Sequence, residues 1–469
     1  MVQLTGIDAS FLYLETAKSP MHIGGVYIFE PPASGEMTFP QFRQYIESRL
    51  HLFRTFRERI VFSPLNLGHP YWVADPEFNL TNHLYHIALP KPGGRKELME
   101  AAAQSFSRTL DRNRPLWDIT FVEGLDNVQG VPKGSFAMIS KVHHAAIDGA
   151  SGAEMMGAIL SLTPNEEKVP KPYPWHPDKL PSSVSLLSKN YMQVFGTPFQ
   201  FAKFLYETAG NTVKTAQEAI TKAVQTPPMP FMAPATIFNQ TITSSRVFGG
   251  VELSLPHIKA IKNATTDTTV NDVVLAVCAG AFRRYLEKRN ELPAKSMVAM
   301  CPISVRNENE KQALGNKVSA MLVSLATNEP DPLRRLALIR ESSHGSKVYS
   351  QAISANQLMN FVPSTLASLG TRLYTSMRLS EVHSPFYNLT ITNVPGPPMQ
   401  LYMNGAKLIS NFGTAPVFDG MGILLVIFSY NNKLSISITC TREIMPEPSE
   451  FEADLQGAMD ELYTLTVKK

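Results

Sequence analysis

Cysteine is scarce. The 469 residues hold three: Cys278, Cys301 and Cys440, far apart, in apolar runs and without a CxxC pair. That leaves neither a disulfide framework nor a thiolate zinc site, and it fits a reducing compartment. Neither sign of charge dominates. Lys and Arg number 43 against 40 Asp and Glu, a net +3, with no concentrated basic footprint to suit a nucleic acid. Long apolar runs are missing as well. The longest, Met421 to Phe428, has strand length, well short of the ~20 residues that span a bilayer. Asp8 and Glu15 stand where a secretory signal would need a cationic start and an apolar core. The usual catalytic strings are absent too. Gly149-Ala150-Ser151-Gly152 has the wrong frame for a GxSxG elbow. No GxxxxGK[ST] or HExxH occurs, and Gly420-Met421-Gly422 lacks the third glycine of a dinucleotide turn.

What is present is ordinary globular composition, 44% hydrophobic and 18% charged, long enough for two or three domains of ~150 residues. Its centre of interest is His143-His144-Ala145-Ala146-Ile147-Asp148-Gly149. An apolar strand pattern from Ser135 to Val142 precedes it, and a helical pattern from Gly152 to Leu162 follows. The junction of strand, loop and helix is where α/β proteins tend to place chemistry. A histidine near pH 7 is largely neutral and suits general-base work. The plainer alternative is a pair of core histidines satisfied by backbone groups. A metal reading of His143, His144 and Asp148 would need a further ligand from elsewhere in the chain.

Along the chain, Met21 to Phe29 reads as a strand. A helix opens near Pro40, with Phe42, Ile46, Leu50 and Phe53 on one face. Pro64 to Leu89 reads as strand and loop, Glu97 to Leu110 as helix, and Asp118 to Glu123 as strand. A proline-rich run from Val169 to Lys179 and a proline cluster from Pro227 to Pro234 bracket a helical segment. We therefore expect residues 1–178 as an N-terminal domain, 179–241 as a crossover linker and 242–469 as a C-terminal domain. In the last, Arg246 to Leu253, Val298 to Val305, Lys317 to Leu325 and Leu389 to Val394 read as strands. Thr268-Thr269 can cap a largely apolar helix that has Asn271-Asp272 in its first turn. Pro332 to Val348 and Gln357 to Arg378 read as helices, and a final helix carries Phe451, Leu455, Leu462 and Leu465. Asn404-Gly405 and Asn431-Asn432 are hairpin signals. Leu434, Ile436, Ile438 and Cys440 should face opposite to Ser435, Ser437 and Thr439.

HHAAIDG has the HHxxxDG form of the CoA-dependent acyltransferase superfamily. Pro115-Leu116-Trp117 is similar to a PLW motif, Asn271-Asp272-Val273-Val274-Leu275-Ala276 to an ND motif, and Asn393-Val394-Pro395-Gly396-Pro397 to an NVPGP motif. With the opening Gly6 to Phe11 and Pro20-Met21-His22, the chain resembles the bacterial wax ester synthase/diacylglycerol acyltransferase family over nearly its whole length.

The resemblance implies an α/β fold, an α+β sandwich of two chloramphenicol-acetyltransferase-like domains with a tunnel between them. It implies transfer of a long-chain acyl group from acyl-CoA to a fatty alcohol or diacylglycerol. Acyl-CoA would be a co-substrate, with no bound cofactor, no metal and no nucleic acid. His144 becomes the general base and His143 a supporting residue. Spacing alone would let Asp148 orient His144 as in a triad. The superfamily instead turns this aspartate into a salt bridge that holds the loop, and Arg306 is its proposed partner. Gly149 leaves room for the thioester. Asn271, at a helix start where the dipole favours negative charge, is the first candidate for holding the oxyanion; Asn393 and Thr392 are the others. As plainer alternatives, the asparagines are a helix-start residue and a strand-end turn residue. Asp272 is assigned a structural place at the site, and Pro115, Leu116 and Trp117 a place in the tunnel wall or core. Asp419-Gly420-Met421-Gly422 resembles a DFGWG-like turn of plant relatives, with a structural aspartate.

Substrates this apolar come from a membrane or lipid droplet. The expected location is cytoplasmic, peripheral to the inner membrane or lipid inclusions. Lys179 to Gln225 offers a basic amphipathic surface for that purpose, or else an ordinary inter-domain crossover. The rival readings are a superfamily relative with another alcohol acceptor and a non-catalytic lipid-surface protein.

Overall fold

Two six-stranded sheets carry the fold, and the first is built around the strand that ends in the histidine pair. The computed structural model describes residues 1–64, 68–147, 155–165, 231–304, 318–352 and 383–468, with 169, 170, 177, 181, 182, 185, 186 and 228 between them. Two compact units emerge. One takes the described residues up to 186 and 399–416, the other those of 228–352, 383–398 and 417–468.

The first unit opens with strand β1 (Val2–Gln3), helix α1 (Gly6–Leu14) and strand β2 (His22–Phe29). Thr5 caps α1 by accepting the Asp8 N–H. The helix was not evident from periodicity, because Gly6, Ala9 and Ser10 supply most of its buried face. Helix α2 (Phe39–Glu47) follows, with Pro40 in its first turn. Then come β3 (Glu58–Val61), β4 (Tyr71–Ala74), β5 (Leu84–Ala88), helix α3 (Arg95–Phe106), β6 (Trp117–Glu123) and β7 (Phe136–His143). β7 is buried along its whole length, as a central strand must be. It pairs antiparallel with β2 on one side and β6 on the other, in a register that sets His22 opposite His143. Its one lysine is satisfied rather than exposed. Lys141 lies 3.2 Å from Asp118 and donates to the Ser105 carbonyl at 3.0 Å, at the C-terminal end of α3. β2 is squeezed between neighbours. A Cβ on Gly24 would overlap the Ser140 carbonyl oxygen, and one on Gly25 would sit 2.6 Å from that of Phe412.

Phe412 comes from far down the chain. β12 (Tyr402–Met403) and β13 (Ala406–Thr414) form a hairpin through Asn404-Gly405, both at positive φ, and β13 pairs antiparallel with β2. The hairpin falls within the expected 242–469 segment, yet it completes the first sheet, whose order is β12-β13-β2-β7-β6-β5. Strand partnership is a tertiary choice that the local pattern does not contain.

In the second unit β8 (Val247–Ser254) leads into α4 (Leu255–Ala264) and α5 (Val270–Glu287). β9 (Val298–Ser304), β10 (Val318–Ser324), α6 (Pro332–Ala352), β11 (Leu389–Pro395), β14 (Ile423–Tyr430), β15 (Lys433–Cys440) and α7 (Pro448–Val467) complete it. The sheet order is β10-β9-β11-β14-β15-β8, with β11 parallel to β9 and β14. Asn431 and Asn432 turn β14 into β15 at φ 42° and 63°. Both rows of β15 are buried, the hydroxyl row included. α5 is buried on most sides, as its composition requires. The resulting α/β architecture of sheets with packed helices is the expected class. The expected helix from Gln357 to Arg378 lies outside the described residues, as does nearly all of the expected docking segment from Lys179 to Gln225.

Candidate active site

β7 delivers His143 as its last residue, and the chain then tightens into one 3-10 turn over His144–Ala146. His143 is fully buried. Its Nδ1 accepts the Ala145 N–H at 3.0 Å, so a neutral ring must carry its proton on Nε2. That nitrogen faces Glu15 Oε1 across 3.6 Å. The distance is that of a charge contact, longer than a hydrogen bond.

Glu15 ends α1 and is itself held from three sides. Arg112 donates from Nε at 2.9 Å and from Nη2 at 2.7 Å to its Oε2. The Met21 N–H donates to its Oε1 at 3.1 Å. Burial pushes this carboxyl up, but His143, Arg112 and the Met21 amide outweigh it and bring its pKa down to about 2. The site thus contains a fixed negative charge that the sequence reading missed. Glu15 lies far from the motif in the chain, and only the fold brings it close.

His144 is differently placed. Its backbone N–H donates to the Met21 carbonyl at 2.7 Å. Its ring lies flat on Phe11 of α1, with centroids 3.8 Å apart and planes 11° from parallel. Nδ1 is buried with no partner of hydrogen-bond geometry, while the residue as a whole stays partly exposed. Burial lowers its pKa to about 4. The residue's own backbone carbonyl opposes this, and charge on His143 adds to it. The ring is therefore neutral at physiological pH. Of the pair, His143 has Nδ1 bonded to Ala145 and Nε2 facing a carboxylate, whereas the His144 ring is neutral and partly exposed.

The PLW residues support this turn from below. The Leu116 carbonyl accepts the His143 N–H at 2.9 Å, and its side chain packs with Leu4, Leu12 and Ala145. Trp117 donates through Nε1 to the Phe56 carbonyl at 3.1 Å and stacks on His83. Pro115, Leu116 and Trp117 are all buried, Trp117 only 2% exposed. In this unit they are core, not an open wall.

In the second unit the ND and NVPGP motifs meet. Asn393 Nδ2 donates to Asn271 Oδ1 at 3.2 Å. Thr392 is its neighbour on β11 and faces the other side of the sheet. Asp272 is committed to structure. Its Oδ2 accepts from the Thr269 N–H at 2.9 Å and from Thr269 Oγ1 at 2.7 Å, and Oδ1 accepts from Ser343 Oγ at 2.5 Å. Asp419 Oδ1 accepts the Ile242 N–H at 2.9 Å, which makes it a structural turn residue. Asp148, Gly149 and Arg306 lie outside the described residues. Among the described residues no group of three His, Cys, Asp or Glu side chains is placed to hold a metal ion.

A desolvated, neutral imidazole beside a second one facing a carboxylate has the chemistry of a general base. Comparison with known proteins makes this specific. Residues 4–274 match the wax ester synthase/diacylglycerol acyltransferase catalytic domain, and residues 314–463 match the C-terminal domain of the same family. The O-acyltransferase WSD of Acinetobacter baylyi is 32% identical over 456 residues, covering 95% of this chain and 93% of that protein. A probable diacyglycerol O-acyltransferase, tgs2 of Mycobacterium tuberculosis, is 33% identical over 481 residues, 97% of each chain. The solved wax ester synthase/diacylglycerol acyltransferase from Marinobacter aquaeolei VT8 superposes with a TM-score of 0.70 at 28% identity, over 99% of this chain and all of that one. The chain belongs to the wax ester synthase/diacylglycerol acyltransferase family.

Proposed function

We propose that this acyltransferase moves a long-chain fatty acyl group from acyl-CoA to the hydroxyl of a fatty alcohol, giving a wax ester, or of diacylglycerol, giving triacylglycerol. The observation that carries the reading is the state of His144, neutral and desolvated with Nδ1 buried. An alcohol is a poor nucleophile until its proton is being removed. Nε2 of His144 takes that proton as the oxygen attacks the thioester carbonyl. The tetrahedral intermediate expels the CoA thiolate, which recovers the proton from the imidazolium. Asn271 and Asn393 are the proposed oxyanion donors. The Asn271 oxygen accepts from Asn393, which leaves both N–H groups of the Asn271 amide for donation; one such donor is typically worth about 2.7–4 kcal/mol in the transition state. In this reading His143 supports the base, Asp148 and Arg306 hold the loop, and Gly149 leaves room for the thioester. The acceptors partition into lipid, so the enzyme works peripherally at a membrane or lipid-inclusion surface; no described helix is long and apolar enough to cross one.

The test is CoA release and ester formation from palmitoyl-CoA with hexadecanol or dioleoylglycerol. His144→Ala should lower turnover by about 10²–10⁴-fold, the usual contribution of a general base, with near-UV circular dichroism unchanged. Wild-type turnover in the variant would rule out the role. No CoA release by the wild-type protein with any acceptor would favour a non-catalytic lipid-surface protein. Activity confined to short alcohols would favour a different acceptor class.

A further inference from the structure

We propose that Glu15 is a positioning residue for the histidine pair, acting by fixing which nitrogen of His143 carries the proton. Two links run from this one carboxylate to the turn that holds His144, and a third runs from the Glu15 backbone to the His144 ring. The first passes through the imidazole. Glu15 Oε1 faces Nε2 of His143 at 3.6 Å, which favours the tautomer protonated there. Nδ1 is then bare and accepts the Ala145 N–H at 3.0 Å, inside the turn that holds His144. The second passes through Met21, whose N–H donates to Glu15 Oε1 at 3.1 Å and whose carbonyl accepts the His144 N–H at 2.7 Å. The third is the helix. Glu15 closes α1, its N–H donating to the Phe11 carbonyl at 3.1 Å, and the Phe11 ring lies against that of His144. Arg112 locks the arrangement, bonding both the carboxylate and the Leu12 carbonyl. The Glu15 side chain is only 4% exposed, and every group around it is a donor: two Arg112 N–H groups, one amide N–H and one imidazole N–H.

A glutamine at this position has nearly the same shape but a donor in place of one acceptor. If its NH2 faces Arg112, two donors oppose each other. If it faces His143, the imidazole must move its proton to Nδ1 to accept from it. Nδ1 can then no longer accept from Ala145, and the turn loses its anchor. Glu15→Gln therefore disturbs the direction of the hydrogen bonds while leaving volume almost unchanged.

This inference rests on the proposed role of His144, and the experiment separates the two. Two-bond 1H–15N correlation spectra of the full-length enzyme labelled with [15N]histidine report the tautomer of each ring. The His143 signal is assigned by its loss in His143→Gln. In the wild-type enzyme His143 should show the Nε2–H pattern. A Nδ1–H pattern there would overturn the proposal, whatever the variants do. In Glu15→Gln the pattern should change to Nδ1–H. With palmitoyl-CoA and hexadecanol, kcat should fall about 100-fold, as for a reacting group displaced by about 1 Å, and KM for palmitoyl-CoA should stay within about twofold. An unchanged tautomer in Glu15→Gln, whatever its kcat, or a KM rise with unchanged kcat, would overturn it as well. Absence of turnover in the wild-type enzyme would count against the function and leave the tautomer result standing.

Discussion

The buried state of His144 makes a sharp claim about acid tolerance. A histidine of ordinary pKa, 6.5, is about 9% neutral at pH 5.5, whereas one at about 4 remains about 97% neutral there. If His144 is the base, kcat/KM should stay nearly flat from pH 8 down to about 5 and fall below that, with an apparent pKa near 4. The margin is large. At pH 5 the two cases differ by about 30-fold in the neutral fraction. Stability runs in the same sense. The folded pKa lies below the unfolded one, so the contribution is fully present above 6.5. It is lost as pH falls from 6.5 toward 4, because in that window the unfolded ring binds a proton that the folded ring does not. The loss amounts to at most about 3 kcal/mol, less where water reaches the ring. Glu15 acts lower, its contribution being lost from 4.5 down to about 2, so measurements to pH 5 are free of it. The assay is chromatographic quantitation of CoA at each pH, with initial rates at low palmitoyl-CoA. Near-UV circular dichroism and recovery of activity on return to pH 7.5 show that the fold survives. Phe11→Ala exposes a face of the ring and should move the limb upward toward 6.5. A wild-type limb at 6 to 7 would refute the argument, since the base would then be no more desolvated than a free histidine.

Other expectations follow from packing and capping. Gly24→Ala places a Cβ on the Ser140 carbonyl, in a strand gripped on both sides. It should cost about 3 kcal/mol, the upper end of ordinary overpacking, and a lower midpoint of thermal unfolding would show it. Gly157→Ala meets nothing within 4 Å and lies in the short helix of residues 155–159; it should be neutral or stabilising by up to about 1 kcal/mol. Asp272→Ala removes the reciprocal cap on α5 and takes from Ser343 Oγ its shorter hydrogen bond, leaving it the Arg340 carbonyl. A loss of about 2 kcal/mol in urea unfolding is expected, and Asp272→Asn, which keeps one acceptor oxygen, should lose less.

Much of this was legible wherever the information is local. The apolar run into His143 became the central strand. Asn404-Gly405 and Asn431-Asn432 became hairpin turns, because asparagine and glycine tolerate the positive φ values that such turns need. Thr269 caps α5 as its spacing implied. The illegible part was the choice of neighbours. Nothing in residues 402–414 says that they pair with β2, since their alternation would serve any sheet edge. The PLW string marks a conspicuous cluster, but only coordinates show that it supports the turn from within the core. α1 was hidden because small residues fill its buried face, and Glu15 was hidden with it.

The proposed choice of His144 over His143 as the base likewise rests on atoms rather than on order in a motif. For His143 to be the base, its Nε2 would have to leave Glu15 and reach a substrate from a fully buried position, while Nδ1 stayed bound to Ala145. His144 carries no such obligations. Its backbone is tied at Met21 and its ring is laid on Phe11, but its Nδ1 has no hydrogen-bond partner. Burial leaves it uncharged, the state the proposed base requires. In the proposed reading the first residue is spent on geometry so that the second can remain chemically free, and one carboxylate at the end of a nine-residue helix is the group proposed to hold the pair in that division.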